Sequence, residues 1–204
     1  MQMYDRDMPM IAEYAETKPE RLLAVITFVL CTIRTGLATV KAQMDDVKLN
    51  GEASVYLWNK KGDGYRYASD HIEFLWSNLF YLRDKSTEDP EVIAEAIELL
   101  MAIPNLGMVK AGFVCQCVGF NVACIDSHNL KRLGLPPSAV KINAKLSKEK
   151  TREKILNYIA LCQEEGAKYW WDTWCVHVAG NQANRRLKTG EAVSAYHSEC
   201  VLNF

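Results

Sequence analysis

The sequence predicts an all-α protein of two helical lobes with a cleft between them, and three observations carry that expectation. First, apolar residues recur every three or four positions in long stretches: Ile72, Leu75, Trp76, Leu79 and Leu82, then Ile93, Ala96, Ile97 and Leu100, then Ile155, Leu156, Ile159 and Cys162. Second, residues that start helices precede the stripes. Asp89-Pro90 offers a cap and a first-turn proline, and Ser69-Asp70 offers a cap for the stretch after it. Third, 49% of the 204 residues are hydrophobic, enough to bury one full core in a single domain or in two small lobes.

In chain order, Thr17 with Pro19 marks a helix start. The apolar character from Leu22 to Ile33 runs all round the helix, so this element should lie at the centre of the protein. That run is too short to span a bilayer and Arg34 ends it, so no membrane segment is expected. Residues 46–67 change character. Asn50-Gly51 and Gly62-Asp63-Gly64 read as turns around Val55-Tyr56-Leu57-Trp58, which is either a brief strand or an irregular surface insertion.

The stretch from Ile103 to Leu133 carries the most information. Pro104 sets a turn, Asn105 and Gly107 tolerate positive φ, and Leu106 between them can plug back into the core. A helix should begin at Gly107 or Met108, with its unpaired N–H groups pointing out of the turn, which is how backbone binds a phosphate. Lys110 falls in that first turn. A cation there opposes the helix dipole unless an anion comes near. Further on, Asp126 or Ser127 can cap the next helix, so Asp126 should face back toward the hairpin.

Composition narrows the partners. Net charge is −1, with 24 Lys+Arg against 25 Asp+Glu, so this is no generally basic nucleic-acid coat and any DNA surface must be local. The basic runs Lys141–Lys154 and Arg185-Arg186-Lys188 each read first as solvated faces. Seven cysteines, an odd number, with no cationic start and apolar run at the N-terminus, point to a reducing cytosol without a disulfide framework. Cys115, Cys117, Cys124 and His128 lie close in sequence, but their spacing does not suit structural zinc. The aromatic run Tyr169-Trp170-Trp171-Asp172-Thr173-Trp174 is either a packed core between the lobes or one wall of a pocket for a flipped base; Trp170 and Trp174 share one helical face and Trp171 another. His197 has no visible partner. Neither a phosphate-binding glycine loop, nor a nucleophile elbow, nor an internal repeat occurs.

Residues 103–133 resemble the helix-hairpin-helix signature of the endonuclease III-type DNA glycosylase superfamily. There an L-P-G-V-G hairpin is followed, after a small-residue helix, by V-D-T-H; the counterparts are Ile103-Pro104-Asn105-Leu106-Gly107 and Ile125-Asp126-Ser127-His128. Residues 21–44 are similar to the family's early buried helix and the one after it. The resemblance implies a single glycosylase-like fold over 1–204, with 68–140 as the hairpin-bearing lobe and 1–45 plus 141–204 as the second. It implies a monomer acting on double-stranded DNA, excising a damaged or modified base with Asp126 stabilising the sugar cation or activating the nucleophile. Asn105, Leu106, Gly107, Val109, Lys110 and His128 would contact DNA, and a monovalent cation would bridge hairpin carbonyls and a phosphate.

Departures from the pattern bear on the chemistry. The position of the family's Schiff-base lysine is Val109, with Lys110 one place later, so Lys110 is either that nucleophile, adding strand nicking, or a phosphate contact. The family's wedge glutamine is missing after Cys31, leaving Ile33 or Arg34 for its place. Cys162, Cys175 and Cys200 are too far apart for the family's iron–sulfur loop, so no cluster is expected. Two further functions fit the same residues: a transferase modifying thymine derivatives in viral DNA, and a DNA-binding module without chemistry.

Overall fold

The computed structural model describes residues 3–57, 60–143, 145–181 and 187–204. Among these the chain is all-helical, with no strand. The helices in order are α1 (Met3–Glu16), α2 (Pro19–Cys31), α3 (Val40–Asn50), α4 (Lys60–Asp70), α5 (Ile72–Lys85), α6 (Pro90–Met101), α7 (Met108–Cys117), α8 (Ser127–Leu133), α9 (Lys148–Gln163), α10 (Gly166–Asn181) and α11 (Gly190–Leu202).

α2 is the central element. Every residue from Ala24 to Cys31 is buried, so the helix needs no polar face and other helices surround it. Pro19 occupies its first turn, as expected. Thr17, however, donates its hydroxyl to the Tyr14 carbonyl and so closes the end of α1 instead of capping α2. α6 begins where Asp89-Pro90 predicts, the Asp89 carboxylate accepting from the Glu91 N–H at 2.9 Å. Ser147 caps α9 in the same way at 3.3 Å. On α9 the buried stripe is Ile155, Tyr158, Ile159 and Cys162; Leu156 sits at its edge and Tyr158 takes its place.

Helix α4 corrects the sequence reading. Gly62-Asp63-Gly64 is not a turn but lies inside a helix, and residues 46–57 hold neither strand nor long insertion: α3 runs on to Asn50 and a 3₁₀ turn follows at Gly51–Ala53. Trp58 is outside the described residues. The glycines serve close contact. A Cβ on Gly64 would sit 2.4 Å from the Pro104 carbonyl oxygen, and one on Gly62 2.5 Å from that of Leu57. Tertiary packing therefore overrides the low helix propensity of glycine here. α4 also takes in Ser69-Asp70, and the break before α5 falls at His71, whose ring stacks on Tyr67.

Buried residues of α1, α2, α5, α6, α7, α9, α10 and α11 belong to one hydrophobic cluster. Both lobes assigned from sequence thus contribute to a continuous core. No described helix is long and apolar enough to cross a membrane.

Candidate functional site: a pocket between the hairpin and the end of helix α2

The hairpin forms as its residues dictate. Ile103 and Leu106 are buried and pull the turn down onto the core, and Asn105 takes the left-handed conformation with φ 71°. Gly107, by contrast, is extended at φ −80° and ψ 174°, so it does not use glycine's freedom; a Cβ there would meet nothing within 4 Å. α7 starts at Met108 with no side-chain cap, which leaves its first N–H groups directed out of the turn. The Leu106 N–H is not among those free to meet a phosphate: it donates to the Ile103 carbonyl at 3.1 Å, closing the turn.

Beyond α7 the chain turns at Gly119, φ 101°, and runs buried without regular secondary structure through Phe120, Val122, Ala123 and Ile125. A buried irregular segment must find partners for its backbone. Gln116 accepts from the Cys124 N–H at 3.2 Å, Asn129 donates to the Cys124 carbonyl at 2.8 Å, and the Tyr158 hydroxyl donates to the Ala123 carbonyl. These three side chains hold the segment so that Asp126 emerges at the start of α8. One carboxylate oxygen caps that helix, accepting from the Asn129 N–H at 3.2 Å. The other accepts from the indole N–H of Trp174 at 3.3 Å. Capping and a second use of Asp126 therefore coexist, because the two oxygens point to different neighbours.

Asp126 lines a pocket of about 450 Å³ together with Lys110, Asn105, Phe113, Cys124, Ser127, Trp174, Val178 and the six residues from Thr32 to Leu37. That volume is in the range of small-ligand pockets, about 300–1,000 Å³. Lys110 enters from the first turn of α7, its ammonium donating to the Thr32 hydroxyl at 3.3 Å and lying 5.4 Å from the centre of the Phe113 ring. Val109 packs against the core and is not part of the lining, whereas Lys110 is, so the one-residue offset from the family pattern leaves it on the pocket side, where Arg34 is a second cation. Leu106 and Gly107 lie outside the lining. His128 starts α8, but its side chain falls outside the described residues.

The wall opposite the hairpin is the loop after α2. Arg34 there has φ 55°, and with Asn105 it makes the two non-glycine residues of positive φ among those described. Both line this pocket, in keeping with the way strained backbone collects at functional sites.

The three tryptophans of α10 are not equally buried, as their spacing predicts, but the division does not follow the helical faces read from it. Trp170 and Trp171 are buried, their indole N–H groups donating to the Cys162 carbonyl and the Ser194 hydroxyl, each at 2.9 Å. Trp174 is half-buried, stacks on Trp171 with ring centres 5.3 Å apart, and presents itself to the pocket. Trp170 and Trp171 thus serve the core, while Trp174 also lines a pocket. Burial pushes the Cys124 thiol up to about 12, so the sulfur lining the pocket stays protonated near neutral pH. Behind the wall, His197 is fully buried against Phe28, Phe113 and Trp171. Its Nδ1 lacks a hydrogen-bond partner, and burial lowers its pKa to about 3.

The hairpin, where the resemblance implies a cation, has three of its carbonyls engaged by the protein itself. Its Ile103 carbonyl accepts from Leu106, its Gly107 carbonyl accepts from Lys110 and Ala111, and its Pro104 carbonyl lies against Gly64. No step below is routed through such an ion. Among the described residues no three His, Cys, Asp or Glu side chains come together as a metal-binding group. Of the basic runs, Arg152 is held by Glu91 and Glu98, as a solvated face would be; Arg185 and Arg186 are outside the described residues.

Sequence reasoning missed Thr32, Phe113 and Cys124 as pocket residues and Gln116, Asn129 and Tyr158 as supports. A buried polar residue beside an apolar run was the only signal for the supports. Comparison with protein-family models, with curated proteins and with solved structures returned no match to this chain.

Proposed function

We propose that this pocket receives a base flipped out of duplex DNA and that the protein is a DNA glycosylase of helix-hairpin-helix type. The observation that carries this reading is the convergence of Lys110, Asp126 and the hairpin residue Asn105 on one pocket with an aromatic wall. A nucleobase stacks on aromatic faces, which Phe113 and Trp174 provide, and its glycosidic bond is reachable only outside the helical stack. The N–H groups at the start of α7 and the Lys110 ammonium would hold the flanking phosphates.

As the glycosidic bond breaks, its electron pair leaves with the base and positive charge grows on the sugar. A carboxylate fixed beside that charge lowers the barrier, and it can accept a proton from the attacking water. Asp126 suits the role because two N–H donors, one on each carboxylate oxygen, orient it. Lys110 is the alternative nucleophile: attack of its amine at the sugar would give an imine and then strand cleavage.

Incubation with oligonucleotides bearing a panel of damaged and modified bases, followed by borohydride and mass spectrometry, tests the assignment. Free base with an abasic product is the expected result, and a trapped adduct absent in Lys110→Ala would make that lysine the nucleophile. Added mass on a thymine derivative without an abasic site would make the protein a transferase instead. Salt-dependent binding with no change in mass would leave only a DNA-binding module.

A further inference from the structure

Helix α4 touches both walls of the pocket. Its buried face is Lys61, Gly64 and Ala68, spaced three and four residues apart. Lys61 is only 3% exposed, unusual for a lysine. Its ammonium reaches the Thr35 hydroxyl at 3.2 Å and the Cys31 carbonyl at 3.5 Å, which are the end of α2 and the loop that supplies six of the pocket's fourteen residues. One turn further on, the backbone of Gly64 lies against the Pro104 carbonyl of the hairpin and the Leu30 side chain of α2. Lys110 completes the circuit from the other side through Thr32.

We infer that α4 is a strut that fixes the spacing of the two pocket loops, and that Lys61 is a positioning residue for the site. Lys61 does not line the pocket, so it touches no substrate; it acts through Thr35 and the Cys31 carbonyl. A buried ammonium loses hydration, and the carbonyl and hydroxyl it finds return part of that loss only while the loop keeps this shape. Burial accordingly lowers the pKa of Lys61. The small residues on the same face allow the helix to approach closely enough for both contacts.

The activity arm of the test rests on the proposed function, but the structural arm does not. In full-length Lys61→Met the side chain keeps its length and apolar stem while losing the ammonium. Amide exchange at 32–37 should then speed by about tenfold, the loss of one hydrogen bond to a charged donor, while peptides from α9 at 155–162 are unchanged and Tm moves by no more than about 4 °C. In Gly64→Ala the added Cβ displaces the Pro104 carbonyl, and exchange should rise first at 103–107. Unchanged exchange at 32–37 in Lys61→Met would overturn the strut, and so would uniform acceleration across all helices with a large fall in Tm, which marks an ordinary core residue. If the wild type releases base, Lys61→Met should lower kcat more than it raises KM; an unchanged kcat would also overturn the role. A wild type that releases no base defeats the proposed function alone, and the exchange result still decides the strut.

Discussion

Asp126→Asn should reduce base release by about 10²–10³-fold, the usual loss when an oriented group that stabilises transition-state charge is removed. The substitution is nearly isosteric, and asparagine caps a helix about as well as aspartate, so α8 should still start at the same residue. What changes is the charge and one acceptor. Asp126 now accepts from both the Asn129 N–H and the Trp174 indole, through different oxygens. Asparagine has one oxygen for these two donors, so one of them loses its partner at a cost of about 1–3 kcal/mol. A modest fall in Tm is therefore expected beside the large fall in rate. Single-turnover release measured by chromatography, with thermal unfolding by circular dichroism, separates the two effects. Wild-type release by the variant would remove the carboxylate from the chemistry and return Asp126 to the role of a helix cap.

His197→Phe should abolish much of the acid sensitivity of folding. Burial holds the folded pKa of His197 near 3, below the ordinary 6.5, because the imidazolium has no water in a cage of Phe28, Phe113 and Trp171. The sign follows directly. Below pH 6.5 the unfolded chain binds a proton that the folded chain refuses, so stability falls by about 1.4 kcal/mol per pH unit down to about pH 3; above pH 7 the group contributes no slope. Between pH 6.5 and 4.5 that amounts to roughly 3 kcal/mol. Phenylalanine keeps a ring in the cage, takes no proton, and removes a buried nitrogen that lacks a partner. Urea midpoints at pH 7.5 and 4.5 check this: the loss between the two should be smaller in the variant by that amount. The buried Asp7, which burial pushes up but Arg6 and Ser194 hold below the usual carboxylate range, adds its own acid sensitivity, and because it interacts with His197 the difference between the two proteins reads the pair together. An equal loss in wild type and variant would show that His197 is protonated in the folded state.

The helices were legible where local chemistry decides them. Asp89-Pro90 announces α6, the unbroken apolar run from Leu22 announces a central α2, and Pro104 with Asn105 announces the hairpin, because cap, periodicity and turn residues act within a few positions. α4 was illegible for the opposite reason. Gly64 is there to let α4 approach Pro104, a demand set by a residue that sequence distance hides, and as local signals Gly62 and Gly64 say turn. The site divides in the same way. Lys110, Asn105 and Asp126 stand out from the hairpin and the capping pattern, whereas Thr32 and Phe113 look like ordinary helix residues until the chain folds the end of α2 against α7. Trp174 was visible as one of three tryptophans; only the facing of α10 tells which ring remains partly open.

The most direct measurement is ultraviolet cross-linking to a duplex with a single 5-iodouracil at a mismatch, where flipping costs least, followed by peptide mapping. A base held in this pocket should link to the peptide containing Trp174 or to that containing Phe113, and the Trp174→Leu variant should lose the first of these adducts. Adducts confined to exposed aromatics elsewhere, such as Phe74 or Tyr81 on α5, would contradict the assignment of the pocket as the place where the base goes.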